Sequence, residues 1–140
     1  LVVGSAQLEK IESVTKHIIA LSTAVIHKRM CVKIGDGAPL IRDRIINQLI
    51  LHGIETLEVS EHRTSYGSRS KAHLHAATRI ALMSGTRVYQ TRELNPTDGD
   101  LREIQRQSRI HSSGHLTIST ELAKLVACGE ISMDEAIKRA

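Results

Sequence analysis

Phenylalanine and tryptophan are absent from the 140 residues, and Tyr66 and Tyr89 are the whole aromatic complement. A stacking platform of the RRM or OB type needs several aromatic faces, so this composition disfavours one. The core must come from Ile, Leu, Val and Ala. Two cysteines, Cys31 and Cys128, are too few for a disulfide framework or a thiolate zinc site. They point to a reducing intracellular compartment, with nucleus, cytoplasm and mitochondrion all open. No apolar run approaches the roughly 18 to 20 residues of a membrane span, so no membrane partner is expected. Nothing reads as a signal peptide. The chain opens on Leu1 rather than Met, which suggests a processed or trimmed product.

What is present is ordinary globular composition, 41% hydrophobic and 24% charged, of single-domain length. The net charge is +4. It is unevenly placed. Between His62 and His115 stand nine basic residues, eight of them Arg, against Glu93, Asp98, Asp100 and Glu103. Arg carries a planar fork that matches two phosphate oxygens at once.

The hydrophobic spacing predicts a helix over 5–26, with Leu8, Ile11, Ile18 and Val25 along one stripe. Alternation of Met30, Val32 and Ile34 predicts a strand. After the turn Gly35-Asp36-Gly37-Ala38, Pro39 suits the first position of a helix that stops at Gly53. A strand over 54–60, a polar loop over 61–70, a helix over 70–84 and a strand over 86–94 follow. Asn95-Pro96-Thr97-Asp98-Gly99-Asp100 is turn chemistry. Residues 101–113 read as a short helix or a basic arm, and His115–Ser119 as a fourth strand that closes a long hairpin. Thr120 caps one terminal helix, and Ser132 with Glu135 opens another through a capping box.

No catalytic constellation emerges. Gly35-Asp36-Gly37 lacks the Gly-Lys-Ser/Thr ending of a phosphate loop. His73 and His75 stand about 200° apart on a helix, so they cannot share a metal there. No nucleophile elbow surrounds Ser65, Ser68 or Ser70. The reading is no catalytic residue, no metal and no cofactor.

The loop before the second central helix is richer. From His62 to Lys71 it collects the cations Arg63, Arg69 and Lys71, the aromatic Tyr66, and the hydroxyls of Thr64, Ser65, Ser68 and Ser70. Backbone N–H groups at a helix start favour an anion. The expected hairpin tip adds Arg102, Arg106 and Arg109. These seven residues, Arg63, Tyr66, Arg69, Lys71, Arg102, Arg106 and Arg109, form the expected nucleic-acid surface.

A family resemblance rests on Met30-Cys31-Val32-Lys33-Ile34-Gly35, the helix from Leu40, and Gly53-Ile54-Glu55-Thr56-Leu57-Glu58-Val59. It continues through Ala76-Ala77-Thr78-Arg79-Ile80-Ala81-Leu82 and Arg92-Glu93-Leu94-Asn95-Pro96-Thr97-Asp98. These segments resemble the Alba superfamily, including the small Alba-like subunits of ribonuclease P and MRP. The C-terminal domain of bacterial translation initiation factor three shares the same strand–helix order. The resemblance implies an α/β fold, a β-α-β-α-β-β two-layer sandwich over 28–119, with helical extensions over 1–27 and 120–140. It also implies binding of RNA, with DNA open, as a homo- or heterodimer or within a ribonucleoprotein. The alternatives are a structural subunit of a large assembly, such as an organellar ribosome, and a small enzyme built on the His and Ser of residues 62–75.

Overall fold

The computed structural model describes residues 11–24, 29–60 and 69–140, with the backbone alone over 69–75. It is mixed α/β. Two compact units divide the chain between Arg92 and Glu93.

In the first unit, α1 (Ile11–Ala24) precedes β1 (Cys31–Gly35), α2 (Pro39–Leu51), β2 (Glu55–Val59), α3 (Arg69–Leu82) and β3 (Thr86–Val88). The strands lie in the order β1-β2-β3. β1 and β2 run parallel, with Cys31 opposite Glu55 and Gly35 opposite Val59. A parallel pair needs a crossover, which α2 supplies. β3 returns antiparallel, with Thr56 opposite Val88. α2 packs on β1 and β2, α3 on β1, and α1 on α2.

Pro39 opens α2, and the turn before it places Ala38 at a φ of 44°. Gly53, at a φ of 71°, closes the turn after α2, where a side chain would strain the backbone. The core holds Ile46, Leu49, Thr56, Val59 and Ile80. Truncating Ile46 or Leu49 to Ala costs about 2–5 kcal/mol for a fully buried site. Lys33 crosses the β1 surface to α3, where Nζ donates to the carbonyls of Ala81 (3.0 Å) and Met83 (2.5 Å). That bond satisfies orphan acceptors at a helix end, and it explains a lysine in a half-buried strand.

The second unit contains α4 (Asp98–His111), α5 (Thr120–Ala127) and α6 (Met133–Arg139). α4 packs on α5, and α5 on α6. Each helix start is capped. Thr97 and Asp100 form a reciprocal capping box on α4, and Ser119 and Ser132 cap α5 and α6. The cap of α5 is thus Ser119, not the expected Thr120. Small residues Ala123, Ala127 and Ala136 let the helices approach, around Leu101 and Ile118.

The expected fourth strand does not form. Residues 116–119 form no regular element, and the backbone of Leu116 and Ile118 is met by side chains of α4 and its C-terminal cap. Ser108 Oγ accepts from the Ile118 N–H at 3.1 Å, and Gln105 Nε2 donates to the Ile118 carbonyl at 3.0 Å. Ser112 Oγ accepts from the Leu116 N–H and donates to the Leu116 carbonyl, both at 3.0 Å. The basic hairpin tip is therefore replaced by a helix, and Arg102, Arg106 and Arg109 belong to α4.

Candidate nucleic-acid interface

Charge separates the two units. The first carries thirteen basic and seven acidic residues, a balance of +6, and the second six and eight, a balance of −2. From His62 to Arg92 there is no carboxylate.

Several arginines of the first unit are tied down. Arg29 grips Glu55 through two bonds of 2.9 and 3.0 Å. Arg44 lies 3.5 Å from Glu12. Arg42 and Arg92 form a closed ring with Asp43 and Glu58. Arg42 meets Asp43 at 2.9 Å and Glu58 at 3.1 Å, while Arg92 meets Asp43 at 3.0 Å and Glu58 at 2.6 Å. Burial pushes the Asp43 carboxyl up. Hydrogen bonds from Arg42 and Arg92, together with their charges, outweigh it and hold the carboxyl below its ordinary value. Hydrogen bonding to Arg29 lowers the Glu55 carboxyl in the same way.

The acid-free stretch carries Arg63, Arg69, Lys71, Arg79, Arg87 and Arg92, of which Arg87 and Arg92 meet carboxylates from elsewhere in the unit. Arg63 and Tyr66 lie outside the described residues. Arg69 and Lys71 fall in the first turn of α3 by backbone position, and their side chains lie outside the described set. The first turn of α3 contains no acid. α4 and α6 have the opposite arrangement, with Asp98 and Asp100, or Asp134 and Glu135, at the start and basic residues in the last turn. Cations at a helix start oppose its dipole, and an anion there relieves both.

On α4, Arg102, Arg106 and Arg109 recur at four- and three-residue steps, within a sector of about 60°. All three are exposed. Glu103 takes Arg106 through bonds of 2.8 and 2.6 Å, and this hydrogen bonding holds the Glu103 carboxyl down at about 2. The α4 arginines share a face, but in the unit whose charge balance is negative.

One cluster went unread in the sequence. A cleft of about 170 Å³ is lined by Ile50, Gly53, Ile54, Glu55, Arg87, Val88 and Tyr89. The Arg87 guanidinium sits 4.9 Å from the Tyr89 ring centre. Arg87 also approaches Glu55 at 3.8 Å. Arg87 and Tyr89 are two apart along an extended segment, a spacing that places both on one face. Nothing in the sequence pairs either with Glu55, because that contact depends on β2 lying beside β3.

Among the described residues, no group of three His, Cys, Asp or Glu is placed to hold a metal. None of their helices is long and apolar enough to cross a membrane. Residues 97–140 match a family model described as a three helical bundle domain. No curated protein and no solved structure matches the chain.

Proposed function

We propose that the chain is a non-enzymatic nucleic-acid-binding subunit, with RNA as its principal ligand, working as a dimer or within a ribonucleoprotein. One observation carries the reading. Residues 62–92 contain no carboxylate, while Arg29, Arg42, Arg44, Arg87 and Arg92 of the same unit are matched to carboxylates. Within that acid-free stretch Arg63, Arg69 and Lys71 cluster in sequence at the start of α3, where backbone N–H groups favour phosphate. Tyr66, three positions before Arg69 in the sequence, is the aromatic side chain of this segment. Arg102, Arg106 and Arg109 act as a weaker second contact, because Glu103 already holds Arg106.

The order β1-α2-β2-α3-β3 supports an Alba-like reading of the first unit, without the final hairpin. The exposed Ile41 and Leu51 of α2 support pairing through that helix. Sedimentation showing only monomer at about 100 μM would remove the dimer.

The test is titration of labelled single-stranded RNA at several salt concentrations. The triple variant Arg63→Ala, Arg69→Ala, Lys71→Ala is expected to lose affinity for all sequences alike. Its log–log salt slope should fall by roughly 2, about 0.7 per lost phosphate contact. Unchanged affinity and slope in a folded triple variant would overturn the reading.

A further inference from the structure

We infer that the cleft beside β3 is a stacking site for a single unpaired nucleobase, with Tyr89 as its platform. The inference rests on the nucleic-acid reading and adds a site on a different element. Tyr89 is 74% exposed, although one of only two aromatic rings in the chain. A ring left out of the core of a protein this poor in aromatics contributes little to folding. Arg87 lies over it at 4.9 Å, which holds the ring in one orientation and adds a second planar group.

The surroundings fit a base attached to a phosphate. Arg87 and Arg29 flank Glu55, two cations against one carboxylate, and the Arg29 side chain is 78% exposed. Ile50, Ile54 and Val88 supply the apolar part of a lining that is otherwise polar, as the edge and exocyclic groups of a base require. At about 170 Å³ it falls below the roughly 300–1,000 Å³ of sites that enclose a small molecule. An open cleft of that size suits one planar ring better than a whole metabolite. Stacking is tolerant of sequence, because every base presents a π face. Duplex bases are already stacked, so the site selects single strands.

The experiment compares full-length wild type, Tyr89→Ala, Tyr89→Phe and the loop triple variant, using a single-stranded oligoadenylate and a duplex of equal length. Tyr89→Ala is expected to weaken oligoadenylate binding by about 5- to 150-fold, the range for loss of one base–aromatic stack. Tyr89→Phe should stay within about twofold, since the π face remains. The duplex affinity and the salt slope should not change in either variant. Oligoadenylate binding of Tyr89→Ala equal to wild type, with the loop variant still defective, overturns the cleft and leaves the broader reading standing. Equal losses for single strand and duplex in Tyr89→Ala also overturn it. Retained RNA binding with lost self-association would assign the ring to a protein contact and overturn it too. Absence of RNA binding by wild type overturns both readings.

Discussion

The side chain of Asn47 reads the backbone of Arg92 from both sides. Its Nδ2 donates to the Arg92 carbonyl at 2.8 Å, and its Oδ1 accepts from the Arg92 N–H at 2.7 Å. An amide on α2 thereby does what a neighbouring strand would do. It fixes the last residue of the first unit and presents the Arg92 guanidinium to Asp43 and Glu58. Asn47→Ala should remove both bonds and loosen that guanidinium. The expected loss is about 1–3 kcal/mol, the range for leaving part-buried backbone groups without partners. Hydrogen exchange should show it in the first unit, with protection of α4 to α6 unchanged.

The same ring sets a pH dependence. Asp43 ionises more readily folded than unfolded, because the two guanidiniums outweigh burial. A carboxyl lowered on folding contributes stability that is complete above its unfolded value of about 4, and lost as pH falls through the folded value. The first unit should weaken below about pH 4 for that reason. Asp43→Asn should lower stability near pH 7 and flatten the acid limb. Denaturant melts across this range, followed by probes in the first unit, would refute the account if both proteins lost stability in parallel.

Ser108 is fully buried, and its Oγ links the Gln105 carbonyl to the Ile118 N–H. Ser108→Ala keeps the volume nearly constant and strands a buried donor. A cost of about 1–3 kcal/mol is expected, seen as a lower melting temperature of the helical unit. A change under about 0.5 kcal/mol would mean that water replaces the hydroxyl.

Gly85 joins α3 to β3 where no side chain fits. A Cβ there would stand 2.9 Å from the Glu58 carbonyl oxygen and from Val59 Cγ2. The carbonyl belongs to the central strand and cannot yield. Gly85→Ala should destabilise the first unit by about 1–3 kcal/mol through overpacking. Calorimetry of the full chain would count against this if the variant melted with wild type.

Residues 97–140 match a three helical bundle domain, and all three helix starts are capped. A fragment spanning 93–140 should fold alone. Circular dichroism should show a cooperative helical melt, and a gradual slope would indicate that the helices need the rest of the chain.

The chain was legible where periodicity and turn chemistry agreed. Pro39 and Gly53 bracketed α2 almost to the residue, and Ile46 and Leu49 of its predicted span are in the core. The composition of 86–94 predicts a strand over its whole length, but β3 ends at Val88, and Arg92 beyond it is held by a side chain, Asn47, rather than by a strand. Residues 116–118 alternate as a strand does, with Leu116 and Ile118 on the inner side. Alternation reports which side chains turn inward but not what satisfies the backbone, and here Gln105 and Ser108 of α4 and Ser112 at its C-terminal cap do so. The basic character of residues 63–71 was visible in the sequence. The pairing that occupies Arg87 and Arg92 was not, since Glu55, Glu58 and Asp43 reach them only across the fold.

The balanced ring of Arg42, Asp43, Glu58 and Arg92 gives the molecule a practical property. Its charges are mostly shielded from solvent, with side-chain exposures of 16–31%, so mobile ions screen them weakly. A phosphate bound at a solvent-exposed site would be screened strongly. Under the proposed function, concentrated salt should strip bound polyanion from the protein while the first unit keeps its shape.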